Sequence, residues 1–110
     1  MENITLKQLC ELVGVSRRSI QCYEKVGLMA PTDKNKYGHL LYDEDVLHRA
    51  KMIKFMSKLG FKLKEIQEII DAPSDVIKEA FQRRIKGLEI EVFEMEKIIQ
   101  EANEYIKKLK

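Results

Sequence analysis

Arg17, Arg18 and Gln21 are the side chains of this sequence best suited to a specific chemistry. Guanidinium groups bind phosphates or the edge of guanine, and the carboxamide of glutamine pairs with adenine. These three residues share one face of a predicted helix, whose opposite face holds Ile20 and Tyr23. The pattern predicts a helix that docks on a protein core through its apolar face and offers its polar face to nucleic acid.

A helix-turn-helix motif is predicted to position this polar face. Thr5 and Gln8 have the spacing of a capping box, which marks the start of a first helix. Gly14 ends that helix, because glycine tolerates the positive φ of a tight joint. Ser16 then caps a second helix over residues 17–26. Two helices joined by so short a turn have the geometry of a helix-turn-helix.

Beyond the second helix, the sequence predicts a wing and two further helices. Apolar runs at 28–31 and 40–42 flank a polar loop, which is typical of a small two-stranded hairpin. Asp43 caps a third helix, which ends at Gly60. A fourth helix follows, although Lys62 at its expected start is a poor cap.

The last segment carries an unbroken heptad repeat. Apolar residues alternate in steps of four and three, with β-branched residues at a and mostly unbranched residues at d, which favours a two-stranded coiled coil. The helix would be ~43 Å long at 1.5 Å per residue, too long to be covered by its own head, so we prefer a dimer to a helix folded back on its own domain. The predicted dimerisation residues are Phe81, Ile85, Leu88, Val92, Met95, Ile99, Ala102, Ile106 and Leu109.

The predicted fold class is therefore mostly α. Residues 1–72 are expected to form a winged helix-turn-helix head of four helices and a small two-stranded wing. Residues 73–110 are expected to form a long coiled-coil helix for dimerisation.

The distribution of charge agrees with nucleic acid as a partner. The chain has a net charge of +2. Residues 1–42 hold six basic and four acidic side chains, whereas 43–72 and 73–110 are each balanced. The whole basic excess therefore lies in the segment with the predicted helix-turn-helix.

Other classes of protein find little support. No apolar run approaches the ~20 residues of a membrane span, and no secretory signal precedes the first helix, so we expect a cytoplasmic protein without a membrane partner. Cys10 and Cys22 make a poor disulfide framework, and His39 and His48 lack ligand spacing, so no metal or other cofactor is expected. No nucleophile–base pair or phosphate loop indicates an enzyme.

The sequence resembles the mercury-resistance regulator (MerR) family of bacterial transcription factors. Four blocks carry the resemblance: VSRRSIQCYE at 15–24, GLMAP at 27–31, GHLLY at 38–42 and LGFKLKEI at 59–66. Their order and spacing match the family, and the terminal heptad repeat matches its dimerisation helix. The resemblance covers nearly the whole chain.

The resemblance implies a homodimer joined by an antiparallel coiled coil. Such regulators bind palindromic double-stranded operators in promoters whose spacer is too long, and they distort the DNA so that RNA polymerase can engage both promoter elements. The distortion costs energy that the protein–DNA contacts must offset. By matching positions, Arg18 and Tyr23 are implied to contact DNA from the second helix, and His39 to lie in the wing near phosphate.

The chain departs from the family pattern at several DNA-contacting positions. Gln21 and Cys22 replace an arginine and an aromatic residue, and His39 and Leu40 replace Tyr-Arg in the wing. Four lysines are expected to compensate for the lost arginines. The predicted DNA-binding set is Arg17, Arg18, Gln21, Tyr23, Lys34, Lys36, His39, Lys58 and Lys62.

Two alternatives to a promoter-binding regulator remain open. One is a protein-interaction module that keeps the fold and the dimer without sequence-specific DNA binding, and the other is an architectural DNA binder. Neither the sensing cysteines of metal-responsive relatives nor the large C-terminal domain of drug-responsive relatives is present. We therefore expect either a piece of a longer regulator or a minimal regulator without a ligand site of its own.

Overall fold

The computed structural model describes residues 2–109. The chain divides into two compact units between Ile70 and Asp71, the first with all the strands and the four shorter helices and the second with one long helix. The helices are α1 Leu6–Val13, α2 Arg17–Lys25, α3 Glu44–Leu59, α4 Leu63–Ile69 and α5 Ser74–Lys108, and the strands are β1 Ile4–Thr5, β2 Asp33–Lys34 and β3 Leu40–Tyr42. The predicted fold class is confirmed.

The sheet has one strand more than the predicted wing. The antiparallel hairpin of β2 and β3 is joined by β1, in the order β1-β3-β2. Ile4 pairs with Tyr42, and Thr5 pairs with Leu41. The wing is therefore hydrogen-bonded to the segment that leads directly into α1.

The predicted strand at 28–31 is wrong. Leu28 and Met29 are buried in the core, and the first strand of the hairpin begins only at Asp33. The Leu28 N–H donates to the Tyr23 carbonyl at 2.9 Å, and the Leu28 carbonyl accepts from Arg49 Nε at 2.8 Å. Because these backbone groups terminate α2 and anchor α3, they are not available to a strand ladder.

Local signals set the helix ends as predicted. Thr5 and Gln8 form the reciprocal capping box, and Ser16 and Asp43 each accept a hydrogen bond from a first-turn amide. Gly60 ends α3 in the left-handed region. Lys62 has no side chain that can accept a hydrogen bond, and its N–H instead donates to the Glu65 carboxylate at 2.9 Å. Half of a capping box therefore starts α4.

The core of the first unit lies between α1, α2, α3, α4 and the inner strand. Its fully buried side chains come from every one of these elements and interlock the helix-turn-helix with α3. The largest are Tyr42, Leu9, Ile20, Ile53, Met56 and Ile66.

The second unit consists mainly of the uninterrupted 35-residue helix α5, none of whose residues is buried in this chain. Every described heptad position beyond Leu88 is exposed. In the part of the chain that the structure describes, no helix is both long and apolar enough to cross a membrane.

Candidate nucleic-acid interface

The joint between α1 and α2 is a tight turn at Gly14. Gly14 has a φ of 77°, and its N–H donates to the Cys10 carbonyl at 2.9 Å. The Val15 N–H reaches the same carbonyl at 3.1 Å. A Cβ atom on residue 14 would meet no other atom within 4 Å, so backbone conformation rather than space favours glycine here.

Helix α2 docks through Ile20 and Tyr23 and leaves its polar face in solvent. Ile20 is fully buried, while Arg17, Arg18 and Gln21 are exposed. Among the described residues, neither arginine forms an ion pair or a side-chain hydrogen bond. The guanidinium groups are therefore available to an external anion, as an interaction surface requires.

Tyr23 is the one predicted DNA contact that lies mainly in the core. Its side chain is only 8% exposed, and burial raises the pKa of its hydroxyl. The residue-based expectation that Tyr23 packs inward is confirmed. A contact with DNA, implied by the family resemblance, could use only the small exposed part of this side chain.

The tip of the wing is organised by Asn35. The carboxamide oxygen of Asn35 accepts from the N–H groups of Tyr37 and His39 at 2.9 and 3.0 Å. Backbone bonds from Asn35 N to the His39 carbonyl and from Gly38 N to the Asn35 carbonyl close the turn. An exposed loop with this many bonds holds its side chains in a defined arrangement.

These bonds present a cationic and aromatic surface at the wing tip. Lys34, Lys36 and His39 are exposed, as is Tyr37 at 71%. The Lys36 Nζ lies 5.1 Å from the centre of the Tyr37 ring, and the rings of Tyr37 and His39 are 6.3 Å apart. Sequence reasoning missed Asn35 and Tyr37, although an asparagine that opens a glycine-containing turn is a recognisable local signal.

A hydrogen bond couples the wing to α2. The hydroxyl of Tyr42, which is fully buried on β3, donates to Glu24 Oε1 at 2.7 Å. Burial raises the pKa of Tyr42 strongly, and the hydrogen bond to the Glu24 carboxylate raises it further. Strand β3 and helix α2 are therefore tied by a polar contact inside the head, which sequence reasoning also missed.

The remaining predicted lysines flank the turn between α3 and α4. Lys58 lies in the last turn of α3 and Lys62 just before α4, and both are exposed. Gly60 gives this turn its positive φ of 108°. Gln67 on α4 donates from Nε2 to the Val26 carbonyl at 2.9 Å, which anchors α4 to the end of α2.

Two predicted contacts meet across a cleft. Arg17 at the start of α2 and His39 in the wing line the same depression, which has a volume of about 410 Å³. Residues 5–7 at the start of α1 also line this cleft. The predicted residues are thus distributed over α2, the wing and the α3–α4 turn. Those of α2 and the wing meet at this cleft.

Metal-ligating side chains and cysteines are the other reactive groups of interest in the described residues. Residues 2–109 contain no group of three His, Cys, Asp or Glu side chains placed to hold a metal ion. Both cysteines are free thiols: Cys22 is exposed, and burial raises the pKa of Cys10, an effect that the nearby Arg17 charge opposes.

A tight two-helix joint, an exposed basic face on the second helix and a hairpin wing define a winged helix-turn-helix protein. The chain belongs to the MerR HTH regulatory protein family, whose family model matches residues 4–73. The family predicted from the sequence is therefore confirmed.

Individual relatives agree with this assignment. The chain is 34% identical over 95 residues to the HTH-type transcriptional activator mta of Bacillus subtilis, an alignment that covers 86% of this chain and 37% of mta. A MerR-family regulator from Bacillus cereus superposes with a TM-score of 0.78 at 28% identity, covering 97% of this chain and 82% of that one. HiNmlR, a family member lacking the sensor domain and bound to promoter DNA, shares the fold with a TM-score of 0.71 at 21% identity, covering 90% of this chain and 80% of that one.

Proposed function

We propose that this chain binds promoter DNA as a homodimer and regulates transcription from that promoter. The exposed, unpaired arginines of α2, on a helix held firmly by Ile20 and by the Tyr42–Glu24 bond, carry the proposal. Such a helix enters the major groove, where arginine and glutamine read base edges. The chain spans 37% of the length of mta, so the partners of a whole regulator are part of the proposal.

The proposed contacts divide by role. Arg18 and Gln21 face the groove, Arg17 lies at the wing side of α2 where it reaches a phosphate, and Tyr23 contributes its exposed edge. The lysines of the wing and the α3–α4 turn neutralise phosphates, His39 lies near a phosphate in the wing, and these contacts fix the register. This second group is Lys34, Lys36, His39, Lys58 and Lys62.

The proposed dimer forms through α5. Ile85, Val92, Met95, Ile99 and Ile106 are each between 47% and 63% exposed in the single chain. A helix of this length with an apolar stripe gains most of its stability from packing against a partner rather than from its own propensity. A second copy of α5, running antiparallel, covers the stripe, and the dimer supplies two α2 helices to one palindromic operator.

We further propose that the dimer distorts its operator and acts on RNA polymerase through the DNA. Two supports are the activator name of mta and the promoter-bound state of HiNmlR, which shares this fold. The site of action is then the cytoplasm of a bacterium. No enzyme activity is part of the proposal.

Fluorescence anisotropy tests DNA binding directly. Purified protein is titrated into labelled duplexes enriched from a palindromic pool and into a generic duplex, at 50 and 200 mM salt. We expect selective binding by a dimer, with affinity that falls steeply as salt rises. The double variant Arg17→Ala/Arg18→Ala should lose this binding, while Arg83→Ala, which removes an exposed arginine of α5, should retain it.

The outcomes separate the candidate functions. A folded, dimeric protein without DNA binding at low salt would overturn the proposal and favour a protein-interaction module. Salt-sensitive binding without palindrome selectivity would indicate an architectural DNA binder. Unchanged affinity in the double arginine variant would refute the assignment of the α2 face.

A further inference from the structure

The cleft between the wing and the helix-turn-helix contains a cationic residue, Lys7, that is not in the predicted DNA-binding set. Its lining joins three segments: residues 5–7 at the start of α1, Arg17 at the start of α2, and 38–40 of the wing. Two of its residues are the cations Lys7 and Arg17, and none is acidic. An anion entering this cleft therefore meets positive charge from two different helices.

Lys7 is poorly explained by local folding. It is the second residue of α1, where the positive end of the helix dipole disfavours a cation. The first turn of α1 holds no acidic residue to offset this charge. Within residues 2–109, the Lys7 side chain is exposed and forms no hydrogen bond or ion pair.

Arg17 repeats this arrangement on the other wall. It is the first residue of α2, whose first turn also lacks an acidic side chain. The first residues of both helices thus line one depression and bring two cations to it, where their potentials add. His39 and the backbone of Gly38 complete the rim on the wing side.

We infer that this cleft binds one phosphodiester group of the DNA backbone and that Lys7 is a phosphate-contacting residue. The inference rests on the proposed function. A phosphate is the anion that matches the site, because it accepts hydrogen bonds from ammonium and guanidinium groups together. The cleft adjoins both the exposed face of α2 and the wing, so a DNA strand that contacts those surfaces passes over it.

The salt dependence of DNA binding tests the inference through Lys7→Gln. Each neutralised phosphate contributes about −0.9 to the slope of log K against log salt, so losing one contact in each protomer changes the slope by about 1.8. Between 50 and 200 mM salt, the affinity of the variant should therefore fall about 12-fold less than that of the wild type. Lys86→Gln makes the same charge change on an exposed position of α5 and should match the wild type.

Thermal unfolding separates a lost contact from a damaged fold. Because Lys7 opposes the helix dipole, Lys7→Gln should unfold at the same or a higher temperature than the wild type. Weaker DNA binding together with retained stability supports the phosphate contact. An unchanged salt slope in Lys7→Gln overturns it.

Titration with inorganic phosphate, followed by amide chemical shifts, distinguishes a DNA site from a site for a free anion. Saturable shifts at residues 7 and 38–39 of the wild type, together with an unchanged salt slope of DNA binding in Lys7→Gln, would assign the cleft to a free phosphate and overturn the backbone contact. Absence of DNA binding by the wild type would refute the proposed function and the backbone contact together. The phosphate titration would then show on its own whether the cleft binds anions.

Discussion

The hydrogen bond between Tyr42 and Glu24 gives a sharp test of how the head is held together. Tyr42→Phe removes only the hydroxyl, which lies 2.7 Å from Glu24 Oε1 on a fully buried side chain. A hydrogen bond to a charged group contributes about 1.5–3 kcal/mol to stability. We expect the variant to lose about that amount of unfolding free energy, measured by urea denaturation at a fixed protein concentration and with an unchanged m value.

The control for this prediction is Tyr37→Phe. Tyr37 is 71% exposed, so removing its hydroxyl should change the free energy of unfolding by less than about 0.5 kcal/mol. Combining Tyr42→Phe with Glu24→Ala should cost less than the sum of the single variants, because each of them removes the same hydrogen bond. A loss below about 0.5 kcal/mol in Tyr42→Phe, or full additivity in the pair, would refute the reasoning.

The same contact predicts a loss of stability in alkaline solution. Folding raises the pKa of Tyr42 above its ordinary value of 10.0, through burial first and then through Glu24. The stabilisation is therefore complete below pH 10.0 and is lost as the pH rises above it. The free energy of unfolding of Tyr42→Phe should fall less steeply with pH in this range than that of the wild type. Part of the decline that remains comes from Tyr23, because burial raises its pKa as well.

Three further variants test the wing, the dimer and the long helix. Asn35→Ala removes the acceptor for two wing amides and should weaken DNA binding several-fold in anisotropy with little change in melting temperature; equal loss of both would show that the wing is part of the core. Ile99→Asp places a carboxylate in the heptad stripe and should raise the dimer dissociation constant by about 100-fold or more in analytical ultracentrifugation, since an unpaired charge resists burial; an intact dimer would contradict the heptad assignment. Gly87→Ala should stabilise α5 by about 0.5–1 kcal/mol, because a Cβ there meets only Arg84 Nη1 at 3.6 Å; a lower melting temperature would indicate a close helix contact at that position.

Features set by local chemistry were predictable from the sequence. Gly14, Ser16 and Asp43 each act within a few residues of themselves, so the joint and the starts of α2 and α3 followed from residue type and spacing. The polar face of α2 was equally predictable, because helical periodicity places its apolar residues together.

Features set by distant partners were not predictable. Strand β1 is two residues long and exists because Ile4 pairs with Tyr42 far along the chain. The run at 28–31 has strand-like composition, but core packing and the Arg49 bond direct it elsewhere. Glu24 resembles an ordinary surface acid until the fold brings Tyr42 to it.

The central position of β3 has a consequence for how such a protein can change over time. Strand β3 pairs with β1, which leads into α1, and with β2, which leads into the wing tip. Its last residue, Tyr42, is hydrogen-bonded to Glu24 of α2. The distance between the wing tip and α2 is thus fixed by contacts of the buried Tyr42, whereas Lys34, Lys36 and His39 are exposed and take no part in these contacts. Under the proposed function, substitutions at the tip change the affinity for DNA while the alignment of α2 with the bases is preserved, so affinity and sequence preference can change independently in descendants of this sequence.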